Sequence, residues 1–192
     1  MKRAEDKDKK LVVDILTKSF DTNQSVNYIV KQDNNRVRRI RALMGYSYEV
    51  CRSFGDVFLS DDNNACALVL YPDKKKMTLM SALLDARLIF QCIGIENVGK
   101  AIAREKLLKK VRGNELVSSL WFIGVDPQSQ HKRSGSKLLS SIIEYSHQQG
   151  RSVSLETSNR SNLPWYEKFG FKIYAEEDLG HTLYFLKRKT EK

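Results

Sequence analysis

The fold of this chain is decided by residues 120–139, which read LWFIGVDPQSQHKRSGSKLL. The first six residues are apolar on both faces of a strand, a pattern typical of a central strand that is covered on both sides. A polar stretch that contains Pro127 follows, and apolar residues then return at helical spacing. This order predicts a buried strand, a loop and an amphipathic helix in direct succession.

A strand–loop–helix unit of this kind offers a binding site for an anion. The first turn of a helix has backbone N–H groups without intrahelical partners, and the helix dipole places partial positive charge there. We expect the helix to begin near Ser134–Ser136, and Lys132 and Arg133 add formal charge at the same end. The segment therefore suits a pyrophosphate group.

Further helices and strands are predicted on both sides of this unit. Runs of apolar residues at helical spacing alternate with short apolar stretches that are bounded by turn residues. These patterns predict helices over 8–20, 35–52, 136–149 and 162–169, two more helices within 77–110, and strands over 56–60, 65–72, 115–126, 152–156, 171–176 and 182–188. We therefore expect a mixed α/β sheet with helices on both faces.

Length and composition favour one domain, residues 1–192, in the cytoplasm. The 192 residues contain no run of about 18 apolar residues, the length that a membrane-spanning helix needs, and the charged N-terminus is not typical of a secretory signal. The three cysteines match no zinc pattern, so we expect no metal. The net charge of +10 favours an anionic partner such as nucleic acid, a membrane surface or a phosphorylated cofactor, and a solvated basic face is the alternative.

Two segments resemble the GNAT family of N-acetyltransferases. Residues 130–135, QHKRSG, stand where the family has Gln or Arg, two residues, Gly, one residue, and Gly or Ala, with a leucine-rich helix after it. Residues 155–171, LETSNRSNLPWYEKFGF, are similar to the branch that includes puromycin N-acetyltransferase. The resemblance spans about 115–175. It implies the acyl-CoA N-acyltransferase fold, with a mostly antiparallel central sheet of about six to seven strands, and transfer of acetyl from acetyl-CoA to a primary amine.

The resemblance also implies where the cosubstrate binds. Residues 111–192 would form the acetyl-CoA-binding half, and residues 1–110 the acceptor side. The pantetheine arm would pair with the strand end, and the amide of Val125 would face the thioester carbonyl. Gly124 would leave room there, with a simple bulge as the alternative. The binding residues are then Ile123, Gly124, Val125, Gln130, His131, Lys132, Arg133, Ser134, Gly135, Ser136 and Asn159.

Tyr166 is the residue that the resemblance implies as the general acid. Its phenol is neutral at neutral pH and can protonate the departing thiolate. Packing as an ordinary core aromatic is the alternative. Glu156 is the candidate general base, Glu115 is a weaker candidate, and a chain of water molecules can replace both.

The loop departs from the family pattern at Arg133, where the family has glycine. Glycine permits backbone dihedrals that other residues adopt at a cost. Two interpretations are open: the guanidinium contacts a phosphate and offsets the lost geometry, or the loop binds the cofactor weakly. His131 also stands where glycine is common in the family.

Three other functions compete with acetyl transfer. Residues 94–100 match GxxxxGK, but Ala101 follows in place of Ser or Thr, which argues against nucleotide hydrolysis. Basic stretches over 74–76 and 106–110 suit nucleic acid, but no aromatic RNA-binding signature accompanies them. A non-catalytic coenzyme A-binding module on the same fold is the third. We expect a small-molecule amine or a peptide as acceptor, with neither membrane nor nucleic acid as partner. A homodimer through the sheet edges remains open.

Overall fold

A seven-stranded sheet runs through the computed structural model, which describes residues 1–113, 115–130 and 132–190. Its order is β1-β2-β3-β4-β5-β7-β6, and all neighbouring strands are antiparallel except β4 and β5, which are parallel. The strands are β1 Lys2–Arg3, β2 Gly55–Leu59, β3 Ala65–Leu70, β4 Val117–Val125, β5 Ser152–Thr157, β6 Lys172–Asp178 and β7 Thr182–Arg188. The predicted fold class, a mixed and mostly antiparallel sheet with helices on both faces, is confirmed.

Seven α-helices of the described chain pack around this sheet. They are α1 Lys9–Ser19, α2 Gln24–Ile29, α3 Arg36–Phe54, α4 Leu79–Leu88, α5 Val98–Arg112, α6 Ser134–Gln148 and α7 Leu163–Lys168. A single π-turn over Ile89–Ile93 follows α4, so a helical turn and not a strand precedes the GxxxxGK stretch. The predicted helices are found within a few residues of their expected bounds, whereas β1 and α2 were not predicted.

Hydrophobic cores lie on both faces of the sheet, and β3 contributes to each. All six residues of β3 are buried. Cys66, Leu68 and Leu70 pack into the core that holds α1 and α3, while Ala67 and Val69 pack toward α6 on the other face. Alternate side chains of a strand point to opposite faces, which explains why an all-apolar strand was the signal for a covered sheet.

The parallel strands β4 and β5 pair along only part of their length. Val117, Ser118 and Ser119 pair with Ser152–Ser154, and no further pairs join the two strands. β4 stays paired with β3 as far as Val125, with a bulge that leaves Trp121 without a partner in the register. Because β5 turns away while β4 continues, a gap opens between the carboxyl ends of the two strands.

The helices of the described ranges include none that is long and apolar enough to cross a membrane. Among the same residues, no three His, Cys, Asp or Glu side chains lie together in a way that would hold a metal ion. Cys51, Cys66 and Cys92 are free thiols and are buried. Burial raises the pKa of each of these thiols, to about 12 for Cys92, so they are protonated and unreactive at neutral pH.

Candidate active site

A cleft of about 1180 Å³ occupies the gap between β4 and β5. Nearly all of the residues that the sequence indicated for cofactor binding and catalysis line this cleft. His131 lies outside the described residues, and Glu156 borders a smaller neighbouring cavity of about 110 Å³. The predicted residues that line the cleft are Ile123, Gly124, Val125, Gln130, Lys132, Arg133, Ser134, Gly135, Ser136, Asn159 and Tyr166.

The end of β4 presents its backbone to this cleft. The N–H of Asp126 donates to Asn64 O at 2.8 Å, which places that amide on the β3 side. Backbone groups alternate sides along a strand, so the N–H groups of Val125 and Ile123 face away from β3. No strand of the described chain covers them there, because β5 pairs with β4 only as far as Ser119. An extended polar ligand can therefore pair with β4 as an added strand.

The structure corrects the expected role of Gly124. A Cβ on this residue would lie 2.9 Å from Ser19 Oγ and 3.0 Å from Leu16 Cδ2. The space that the missing side chain leaves is therefore filled by α1 and does not accommodate a ligand. The bulge considered as the alternative lies at Trp121, three residues earlier. Ser19 also donates a hydrogen bond to Val125 O at 2.7 Å and so fixes the strand end.

The first turn of α6 is open for an anion. The helix begins at Ser134, and its N-cap residue Arg133 provides no side-chain capping bond. The backbone N–H groups of Ser134, Gly135 and Ser136 make no hydrogen bond to any residue in the described ranges. These donors and the helix dipole border the cleft, and the exposed Lys132 lies beside them.

Arg133 adopts the backbone conformation that glycine favours, with φ at +63°. This explains why the family pattern has glycine at this position. A left-handed conformation costs a non-glycine residue about 1–2 kcal/mol. The loop thus keeps its turn despite the substitution, and the guanidinium is exposed beside the first turn of α6.

Two serine hydroxyls of the first turn are already hydrogen-bonded. Ser134 Oγ donates to Asp62 Oδ2 at 2.6 Å, and hydrogen bonds from Ser134 and Ser60 hold the pKa of Asp62 well below its usual range. Trp165 Nε1 donates to Ser136 Oγ at 3.0 Å. Because a hydroxyl both accepts and donates, Ser136 keeps its own hydrogen for a ligand, whereas Ser134 commits its hydrogen to Asp62.

Tyr166 lies at the junction of the cleft and the smaller cavity. The residue is 6 % exposed, and its ring packs 4.8 Å from Trp165 and 5.7 Å from Phe171, between ring centroids. Its hydroxyl makes no hydrogen bond to any described residue. Burial raises the pKa of this phenol above its ordinary value, so the hydroxyl is protonated at neutral pH and can donate.

Asn159 holds the turn that follows β5. Its Oδ1 accepts a hydrogen bond from the Ser161 N–H at 3.0 Å, while its Nδ2 makes no bond within the described part of the chain. Asn162 precedes α7, and its side chain makes no capping bond to that helix.

Glu156 forms a bidentate ion pair that the sequence did not predict. Arg112 Nε and Arg112 Nη2 each donate to a Glu156 carboxylate oxygen at 2.8 Å, and the glutamate side chain is 5 % exposed. Both carboxylate oxygens are thus engaged by a residue of α5. The weaker candidate base, Glu115, pairs with Lys187 at 2.9 Å and does not border the cleft.

Sequence reasoning missed His181 and Arg104. His181, from the β6–β7 turn, lines the cleft, and its Nε2 lies 3.0 Å from Ser25 Oγ. Burial, with the nearby charge of Arg104, lowers the pKa of this imidazole. Arg104 of α5 borders the smaller cavity. No local pattern marks either residue, since both reach the site through long-range packing.

The open end of β4, the uncapped first turn of α6 and the buried phenol of Tyr166 line one cleft. Residues 91–173 match the family model described as an acetyltransferase (GNAT) domain. This match confirms the predicted class, an acetyl-CoA-dependent N-acetyltransferase.

Solved structures support the same fold. The histone acetyltransferase and related acetyltransferase of Corynebacterium glutamicum is similar, with a TM-score of 0.74 and 16 % identity, over 100 % of this chain and 96 % of that one. Arylalkylamine N-acetyltransferase 2 of Aedes aegypti is similar with a TM-score of 0.65 and 14 % identity, over 99 % of this chain and 98 % of that one. An N-acetyltransferase of Staphylococcus aureus is similar with a TM-score of 0.59 and 14 % identity, over 97 % of this chain and 98 % of that one. At these identities the likeness concerns the fold.

Proposed function

We propose that this protein transfers the acetyl group of acetyl-CoA to a primary amine by direct attack, with Tyr166 as general acid. One observation carries the proposal. The uncovered backbone of β4 leads to the uncapped first turn of α6, and the hydroxyl-bearing Tyr166 borders the same cleft. These parts suit an extended thioester with an anionic end and a leaving thiolate.

The cosubstrate is assigned to the cleft by its chemistry. The pantetheine arm pairs with the backbone of Ile123 and Val125 as an added strand. Its pyrophosphate accepts hydrogen bonds from the first-turn N–H groups of Ser134–Ser136, with Gln130, Lys132 and Arg133 around it. Asn159 lines the same cleft, and its side-chain amide would donate a hydrogen bond to the arm. The net charge of +10 assists the approach of the anion.

The chemical step needs an oxyanion donor and a proton for sulfur. The amine nitrogen attacks the thioester carbonyl carbon, so a C–N bond forms and the C–S bond breaks. The cleft-facing amide of Val125 stabilises the negative charge that develops on the carbonyl oxygen. Tyr166 then donates its proton to the coenzyme A sulfur.

Two groups are candidates to accept the proton of the incoming ammonium. Glu156 borders the same cavity as Tyr166, but each of its carboxylate oxygens already accepts a hydrogen bond from Arg112. His181 is neutral at neutral pH because its pKa is lowered, and it lines the cleft. Either group can act directly or through water.

The finer predictions beyond the enzyme class stay predictions. These are the similarity to the puromycin N-acetyltransferase branch, the cytoplasmic location, the single domain over 1–192 with its two functional halves, a homodimer and the choice between a small amine and a peptide acceptor. The two alternative functions, a non-catalytic coenzyme A-binding module and a nucleic-acid-binding module, stay predictions as well.

Calorimetry and a thiol-release assay test the proposal together. We expect acetyl-CoA to bind with a dissociation constant in the micromolar range and to release free thiol when primary amines are added. Acetyl-CoA binding without thiol release on any amine would favour the non-catalytic module. Absence of binding would overturn the assignment of the cleft.

A further inference from the structure

The small cavity next to Tyr166 combines an apolar wall with a charged end. Phe20 and Phe122, whose rings meet edge to face with centroids 5.0 Å apart, form part of the wall. Arg104 and Glu156 supply the charged groups. The cavity thus lies where an acceptor would meet the thioester, and its lining suits a molecule with an apolar body and one polar end.

Arg104 has no partner in the described chain. It makes neither a hydrogen bond nor a salt bridge there, and its Nε is shielded from solvent without an acceptor. A guanidinium in such surroundings is costly unless an anion meets it. Arg112, two turns further along α5, shows the usual solution because Glu156 binds it with both oxygens.

The charges around the cavity do not balance. Two guanidinium groups, Arg104 and Arg112, face one carboxylate, Glu156. Glu105 also lies near both guanidinium groups, but it is exposed, pairs with Lys75 at 3.6 Å and does not line the cavity. His181 has its pKa lowered by burial and by Arg104, so it is neutral at neutral pH. One positive charge is therefore left over at the end of the cavity, and a single anionic group on a ligand would neutralise it.

We propose that the acceptor is a small primary amine that also carries a carboxylate, and that this carboxylate pairs with Arg104. This inference rests on the proposed function, because the amine must lie beside the thioester and Tyr166. A carboxylate matches the fork of guanidinium donors and leaves the apolar body of the ligand against Phe20 and Phe122. The amine end then points toward the cleft.

Matched pairs of amines test this inference in the wild-type protein. The pairs are glycine, β-alanine, 4-aminobutyrate, 5-aminopentanoate and phenylalanine, each against its own carboxamide. We expect at least one acid to exceed its amide by about 10- to 100-fold in kcat/KM, the range of a charge-assisted hydrogen bond. Aminoalkyl phosphates of the same lengths form a third arm, and a preference for them over the acids would overturn the carboxylate assignment.

Variants of α5 test whether Arg104 causes the preference for an acid over its carboxamide. Arg104→Gln should bring the acid and its amide to within about 3-fold of each other through a higher KM for the acid, and Arg104→Lys should keep part of the preference. Lys106→Gln, an exposed charge on the same helix, should leave the preference unchanged. Acid selectivity that survives Arg104→Gln in a folded variant would overturn the inference.

Calorimetry separates this inference from acetyl transfer itself. The acids and amides are titrated into wild-type protein saturated with coenzyme A, so that no turnover is needed. Stronger binding of an acid than of its amide, lost in Arg104→Gln, supports the inference even if no thiol is released. Equal binding of acid and amide, or binding of neither, overturns it, while thiol release with neutral amines would leave the proposed function standing.

Discussion

Gly135 lies directly against Val125, and a Cβ at position 135 would stand 2.9 Å from Val125 Cγ2. The first turn of α6 is therefore as close to the end of β4 as the backbone allows. This contact places the helix N–H groups next to the strand amides that are assigned to the pantetheine arm. The spacing between the two parts of the cofactor site depends on this absence of a side chain.

Gly135→Ala should therefore weaken acetyl-CoA binding. The added methyl group must displace either Val125 or the helix start, and overpacking of this kind costs about 1–3 kcal/mol of folding stability. We expect about a tenfold rise in the dissociation constant, measured by calorimetry. Gly99→Ala on α5 is the control, because nothing lies within 4 Å of its Cβ position. Equal affinity of Gly135→Ala and wild type would show that the close approach is unimportant for binding.

Arg133→Gly should keep acetyl-CoA affinity and leave stability equal or higher. Glycine removes the left-handed strain, which costs the folded protein about 1–2 kcal/mol. About half of this gain in stability is lost again, because glycine has more conformational entropy in the unfolded chain. Chemical denaturation measures the stability change. Arg133→Ala keeps the backbone strain but removes the charge, and so separates the two effects. A loss of more than tenfold in affinity for both variants, about 1.4 kcal/mol, would mean that the guanidinium contacts phosphate directly.

Tyr166→Phe should reduce turnover strongly and leave cofactor affinity unchanged. Loss of a general acid lowers rates by about 10²- to 10⁴-fold. Stability should change little, because the hydroxyl makes no hydrogen bond in the described chain. Thiol release gives kcat, and calorimetry gives the dissociation constant. Tyr174→Phe, on β6 and 38 % exposed, is the control. Parallel loss of turnover and affinity would identify Tyr166 as a packing residue.

The pH dependence of turnover should show whether His181 acts as the general base. Its folded-state pKa lies below the usual value, so a base at this position is active above that pKa and loses activity as the pH falls through it. His181→Gln should remove this acidic limb of the kcat/KM profile and lower the plateau. An unchanged acidic limb in His181→Gln that disappears in Glu156→Gln would assign the base role to the glutamate. Folding stability should follow the same sign, since protonation favours the unfolded chain.

Glu156→Gln should destabilise the protein far more than a comparable surface change. Breaking a buried pair leaves the charge of Arg112 without a partner, at a cost of about 3 kcal/mol. Glu115→Gln breaks the more exposed pair with Lys187 and should cost at most about 1 kcal/mol. Denaturant midpoints of the two variants provide the comparison. Similar losses would mean that the Arg112 pair contributes no more than a surface pair.

Local patterns predicted the part of the site that one segment builds. The strand before Val125, the loop and the start of α6 are neighbours in sequence, so periodicity and turn residues suffice to place them. The helix α2 escaped prediction because it is short and buries only Val26. Arg112 meets Glu156 across 44 positions, and this pairing depends on how α5 packs on the sheet. No pattern in the sequence encodes such a contact, and the same holds for Arg104 and His181.

The brief contact between β4 and β5 has a mechanical consequence. The strands β1–β4 and β5–β7 form two blocks of the sheet that share three paired residues on each side of the junction. A bound cosubstrate would add contacts at that junction and so limit the motion of one block relative to the other. Release of the product would remove these contacts. The amides of Ile123 and Val125 would then exchange their hydrogens more slowly in the cosubstrate complex than in the free protein.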